Sequence, residues 1–147
     1  MYASDQIEMK GRVEFQLLHP DGSEERWEVD NLVVAYGKST IAERMLAAPA
    51  VPHMSHMAVG SGATAPAAGD TTLSAELARV ALTNTVRANA VLTYTATFGA
   101  GVGTGALVEA GIFNAAAAGG MLCRTTYAVI NKGAADILNV TWTVTVG

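Results

Sequence analysis

The stretch Asp136-Ile137-Leu138-Asn139-Val140-Thr141-Trp142-Thr143-Val144-Thr145-Val146 decides the fold class. Leu138, Val140, Trp142, Val144 and Val146 alternate with Ile137, Asn139, Thr141, Thr143 and Thr145. A period of two places the first set on one face of a strand and the mostly threonine set on the other. Residues 91–98 repeat the pattern, with Leu92, Tyr94, Ala96 and Phe98 against Thr93, Thr95 and Thr97. Residues 10–18 alternate too, Val13, Phe15 and Leu17 against Arg12, Glu14 and Gln16. A Pro20-Asp21-Gly22 turn follows, because Gly tolerates positive φ and Asp bonds its own backbone. Extended structure resumes over 25–34, with Trp27 and Val29 on one face. The two segments predict a hairpin with one wet side.

Further strand-like runs occupy 53–59, 80–87, 106–114 and 120–127. Asn89 marks a tight reversal, and Asn131-Lys132-Gly133 marks the last turn. Short strands at this spacing predict an all-β fold, an antiparallel β-sandwich or a jelly-roll-like arrangement. With 147 residues, the expectation is one β-domain over 1–147. It divides into an N-terminal arm 1–9, a hairpin 10–34 and a main sandwich 53–147. One short helix is expected at about 38–48 within the stretch from Gly37 to Ala48. Thr40 and Glu43 have capping-box spacing there, Ile41 and Met45 form a stripe, and Pro49 and Pro52 end it. Leu73 and Leu77, one turn apart, suggest a second short helix over 73–79. Residues 60–72 and 99–105 are small-residue loops.

Composition narrows the function. Half of the residues are hydrophobic, much of that alanine, and only 15% are charged, below the usual quarter. A surface so poor in charge suits a protein whose surface is partly covered by a partner. The net charge is −4 and the nine Lys and Arg are scattered. No basic stripe is visible, so a nucleic-acid partner is not expected. Residues 1–9 lack the apolar run of a signal peptide, and no stretch approaches a membrane span. A soluble protein made in a cytoplasm, with no membrane partner, is expected.

The chemical residues are few. Cys123 is the single cysteine and sits in a strand-like run, where a buried inert thiol is the ordinary state. Gly37-Lys38-Ser39-Thr40 opens a helix after a strand, but Leu32 stands where a phosphate loop needs its first Gly. A helix start with Ser39 or Thr40 as cap is the better reading. His53 and His56 lie three apart in an extended run, which turns their rings to opposite faces, and no third ligand is evident. The glycine-rich 99–105 segment precedes a strand rather than a helix, which argues against phosphate binding. No Gly-x-Ser-x-Gly elbow exists for a hydrolase. The expectation is therefore no catalytic residue, no cofactor and no metal. Glu109 interrupts the apolar run 107–113. An internal ion pair with Arg79 or Arg124, fixing loop geometry, is expected because Arg meets a carboxylate bidentately.

The order of segments from Met57 onward carries a resemblance. Met57-Ala58-Val59-Gly60-Ser61-Gly62 leads into a Thr/Ala/Pro loop, then Glu76-Leu77-Ala78-Arg79 and a threonine-rich strand. Glu109-Ala110-Gly111-Ile112-Phe113-Asn114, the Gly-Gly-Met-Leu start at 119–122 and the Trp142 strand follow. This resembles small structural proteins of tailed bacteriophage virions, namely capsid cement or decoration proteins and tail-fibre or tail-collar modules. The resemblance covers roughly the last two-thirds of the chain. It implies a non-enzymatic virion part, assembled in the bacterial host cytoplasm. The first expectation is a cement protein, a homodimer or homotrimer, that binds the outside of the major capsid protein lattice and stabilises the shell. The alternative is a tail-fibre or baseplate adaptor module whose partners are tail proteins. Residues 60–72, 99–105 and 1–9 are the expected contact segments. A small β-fold hydrolase or carbohydrate-binding enzyme is the third class, disfavoured by the lack of convergent acids, bases or aromatics.

Overall fold

The computed structural model describes residues 6–147. Nine strands and one helix follow in chain order. They are β1 (Met9–Leu18), β2 (Glu24–Val33), α1 (Ala35–Glu43), β3 (His56–Gly60), β4 (Glu76–Ala81), β5 (Asn84–Ala88), β6 (Val91–Phe98), β7 (Gly105–Phe113), β8 (Met121–Lys132) and β9 (Ile137–Val146). All pairings are antiparallel and form one sheet in the order β4-β3-β7-β8-β2-β1-β9-β6-β5. The fold is all-β with one short helix, as the alternation predicts.

A narrow seam divides the sheet. Strands β2 and β8 pair only through Leu32–Arg124 and Val33–Cys123. The five-stranded half β2-β1-β9-β6-β5 curls there over the four-stranded half β4-β3-β7-β8. One apolar core joins them, drawing on Phe15, Met57, Phe98, Ile112, Ile130 and Trp142. The register sets this core. Val13 lies between Val29 and Trp142, and Trp142 lies beside Tyr94, so one row crosses four strands. One residue along, Thr143 sits between Arg12 and Thr93 on the opposite face. A slip of one residue would exchange the apolar row for the threonine row, so burial itself enforces the register.

The hairpin of β1 and β2 forms where expected. Gly22 takes φ 88, and the Asp21 carboxylate accepts the Ser23 N–H and hydroxyl. Asn89 takes φ 52 in the two-residue reversal between β5 and β6, a conformation Asn tolerates.

Several boundaries differ from expectation, among them the end of β8, which runs on through Asn131 and Lys132 rather than stopping at 127, so the last turn begins at Gly133. The helix over 73–79 does not form. Leu73 is buried in a small second cluster with Ala58, Phe113 and Met121, whereas Leu77 is exposed, so the two do not share a face. Residues from Glu76 instead complete the edge beside β3, with Val80 opposite Met57. The run 80–87 is not one strand. It breaks at Leu82 and Thr83, where the chain leaves one half-sheet for the other. The α1 helix runs Ala35–Glu43 rather than 38–48, and Thr40 and Glu43 do not form a capping box. Thr40 donates back to the Tyr36 carbonyl, and the Glu43 carboxylate accepts the N–H groups of Ala50 and Val51, closing the turn that follows. Strand β3 begins at His56 rather than at residue 53.

Candidate functional site

The loop between β3 and β4 contains no helix or strand, yet it is fixed from beneath by charge. Glu109 on β7 is fully buried and Arg124 on β8 is 1% exposed. Their positions follow from the β7–β8 register, in which Gly111 faces Arg124 and Glu109 faces Thr126. Both side chains thus emerge on the same side, two residues apart. Arg124 Nη2 donates to Glu109 Oε2 at 2.9 Å. The expected internal ion pair is present, and Arg124 is the partner.

The pair reaches outward to the loop. Arg124 also donates to the Asp70 carboxylate at 2.8 Å, the Thr64 carbonyl at 2.7 Å and the Ser74 hydroxyl at 2.9 Å. Glu109 accepts the backbone N–H groups of Gly62, Ser74 and Ala75 at 3.0, 2.9 and 2.7 Å. Asp70 accepts the Ala67 N–H, and this bond, followed by the Arg124 charge, holds its carboxyl below the usual range. Two charged side chains therefore anchor both ends and the middle of the loop. Gly60 and Gly62 admit this approach. A Cβ on Gly62 would lie 2.3 Å from Ser74 Cβ and 2.7 Å from Glu109 Oε1, and one on Gly60 would lie 2.4 Å from the Ala75 carbonyl oxygen. The Tyr127 hydroxyl donates to the Glu109 carbonyl, and burial followed by the Glu109 charge pushes its pKa up.

Arg79, the other expected partner of Glu109, is used elsewhere. Its guanidinium stacks 3.7 Å from the Phe113 ring centroid. It pairs with Glu76 at 2.7 Å and donates to the carbonyls of Ala115 and Ala118. It thereby holds the alanine loop between β7 and β8.

The second expected contact segment, 99–105, lies at another place, above a buried lysine. Lys132 is 2% exposed and its ammonium donates to the carbonyls of Gly99 and Asp136 at 2.9 and 2.7 Å. Burial lowers its pKa. Asp136 accepts the Gly133 N–H and meets His19 Nδ1 at 2.9 Å, while His19 Nε2 meets Glu25 at 2.8 Å. These contacts lower the Asp136 pKa, the Gly133 bond first, and raise that of His19, the Glu25 bond first. This cluster was not anticipated. Its members lie far apart in the chain, and the alternation of residues 136–146 gives no hint that Asp136 caps a turn.

The third expected segment, residues 1–9, falls partly outside the described residues. Ile7 is 74% exposed, and Met9 starts β1. Both line an open groove of about 540 Å³ beside α1, together with Lys38, Ile41, Met45 and Val146. Met45 is 88% exposed. A more enclosed cleft of about 280 Å³ adjoins it, walled by Ile41, Met54, Leu92 and Val144, with Arg44, His53 and Tyr94 as polar members.

His53 and His56 do not converge. His53 is exposed at that cleft, and His56 Nδ1, at the start of β3, bonds the hydroxyl of the preceding Ser55. Lys38 lies on the second turn of α1, beside the groove. Cys123 is buried, and burial raises its pKa well above the ordinary thiol value. A buried protonated thiol is a poor nucleophile. Among the described residues, no three His, Cys, Asp or Glu side chains group as metal ligands, and no helix is long and apolar enough to cross a membrane.

No protein-family model, curated protein or solved structure matches the chain.

Proposed function

We propose that this protein is a non-enzymatic structural component of a tailed bacteriophage virion, a cement or decoration protein that binds the outside of the major capsid protein lattice. The carrying observation is the Glu109–Arg124 pair beneath the 60–75 loop. Ionised groups so deeply buried seldom add net stability. Here they fix the conformation of an exposed loop of Gly, Ala, Thr and Pro. A loop already held in one conformation loses little entropy on docking. Its small side chains suit close packing against a flat protein lattice.

The low share of charged residues and the exposed apolar groove at Ile7 and Met45 fit a surface that a partner covers. Repetition over a shell turns weak contacts into firm attachment. A homodimer or homotrimer that bridges symmetry-related sites belongs to this reading.

Purified protein added to empty capsids of the encoding phage tests it. Saturable binding that raises the capsid melting temperature is the expected outcome. Absence of capsid binding, with co-purification of tail proteins, would refute it in favour of a tail-fibre or baseplate adaptor.

A further inference from the structure

The cleft of about 280 Å³ beside α1 carries an inference independent of the virion reading. Its walls are apolar, with Ile41 from α1 facing Leu92 and Val144 of the five-stranded half. None of its lining residues is acidic, whereas Arg44 and His53 are basic. Arg44 donates to the Val51 carbonyl, and among the described residues no carboxylate pairs with it. The neighbouring Glu43 carboxylate is turned to the N–H groups of Ala50 and Val51, and the single Arg44 bond, to the Val51 carbonyl, leaves its other donors unbonded among the described residues.

Tyr94 supplies the second observation. It is 5% exposed and lines the cleft, and its hydroxyl makes no hydrogen bond among the described residues. The ring is buried, but the hydroxyl oxygen reaches the water of the cleft, where it is free to donate to a ligand. Arg44 and Tyr94 both line this cleft. Burial pushes the Tyr94 pKa up to about 12, so it remains a donor at neutral pH. The cleft therefore presents an apolar trough, one O–H donor and one guanidinium, with no anion of its own.

We infer that this cleft binds an alkyl carboxylate, the chain lying between Ile41, Leu92 and Val144 and the carboxylate meeting Arg44 and the Tyr94 hydroxyl. Size limits the chain. At about 30 Å³ per water-sized group, a cleft of about 280 Å³ holds about nine such groups, which matches a medium-length acid rather than a long one. The charge-assisted bonds would fix its orientation and the apolar wall would supply most of the affinity.

Octanoate is the probe. Titration followed by methyl resonances of Ile41, Leu92 and Val144 should show saturable shifts. Octanol, of equal chain length and no charge, should bind at least about tenfold more weakly. Arg44→Gln should weaken octanoate about tenfold and Tyr94→Phe about three- to tenfold. Circular dichroism checks that both variants keep the β fold, and Tyr94→Phe removes only the oxygen. Absence of saturable shifts at millimolar octanoate, or shifts confined to another part of the molecule, overturns the inference. So does octanol binding as tightly as octanoate, or either variant binding octanoate as the parent does. Failure to bind capsids has no bearing on this outcome.

Discussion

Arg124→Met tests the central physical argument, that buried charge holds the 60–75 loop. The substitution keeps much of the aliphatic stem and removes every guanidinium donor. Lost with it are the bonds to Glu109, Asp70, Ser74 and the Thr64 carbonyl. Glu109 then remains as a carboxylate with no cation, at a site of zero exposure. Removing one partner of a buried pair costs about 3–5 kcal/mol. Three backbone N–H groups still reach the Glu109 carboxylate and soften the loss, which favours the lower half, about 3–4 kcal/mol. At about 2–4 °C per kcal/mol for a chain of this size, melting should fall by about 6–16 °C. The same substitution in a Glu109→Gln background should cost only about 1–2 kcal/mol, because no bare charge is left behind. Calorimetry of the four proteins in the cycle measures both quantities. Hydrogen exchange at the amides of Gly62, Ser74 and Ala75 reports the loop directly and should accelerate in Arg124→Met. If the single variant melts within about 2 °C of the parent and those amides exchange at unchanged rates, the reasoning fails.

Two further outcomes follow from the same geometry. Gly62→Ala places a Cβ against Ser74 and Glu109, an overpacking cost of about 1–3 kcal/mol; the urea midpoint should fall at constant slope, and an unchanged midpoint would show that the loop yields freely. His19 faces a carboxylate with each ring nitrogen, Asp136 on one side and Glu25 on the other, so the protonated ring is the form that fits. Its folded pKa is raised, hence its contribution is complete below the unfolded value of about 6.5 and disappears as pH rises through the folded value. The depressed Asp136 pKa adds stability that is lost only on the acid side. The melting difference between the parent and His19→Gln should therefore be larger near pH 6 than near pH 9, and a difference independent of pH would refute the clamp.

Most of the sheet was legible from local pattern. The alternation of β1, β6 and β9 put Phe15, Leu17, Tyr94, Phe98, Val140 and Trp142 on one face of their strands, and these are buried, whereas Leu92 and Val146 of the same rows are half-buried. Turn chemistry located the β1–β2 and β5–β6 reversals. Where the pattern failed, two periods competed. Leu73 and Leu77 have helical spacing, but the unpaired edge of β3 takes the chain from Glu76 as a strand and leaves Leu77 in water. Half of the anchoring pair was legible as well, because an acid inside an apolar run either faces water or meets a cation, and Arg binds a carboxylate bidentately. The choice between Arg79 and Arg124 was not, since it depends on how β7 pairs with its neighbours.

The amino-acid order alone determined that the chain is β, which faces are apolar, where most of its turns fall and that Glu109, inside an apolar run, either faces water or meets a cation. These are short-range properties, set by side-chain period and backbone sterics over a few residues. Tertiary structure decided the rest. It brought Arg124 and Asp70 together across a separation of 54 residues, Lys132 beneath Gly99 and Arg44 and Tyr94 to the walls of one cleft. Those meetings depend on strand order, on register and on how the two half-sheets fold together, a balance of packing that no single segment encodes.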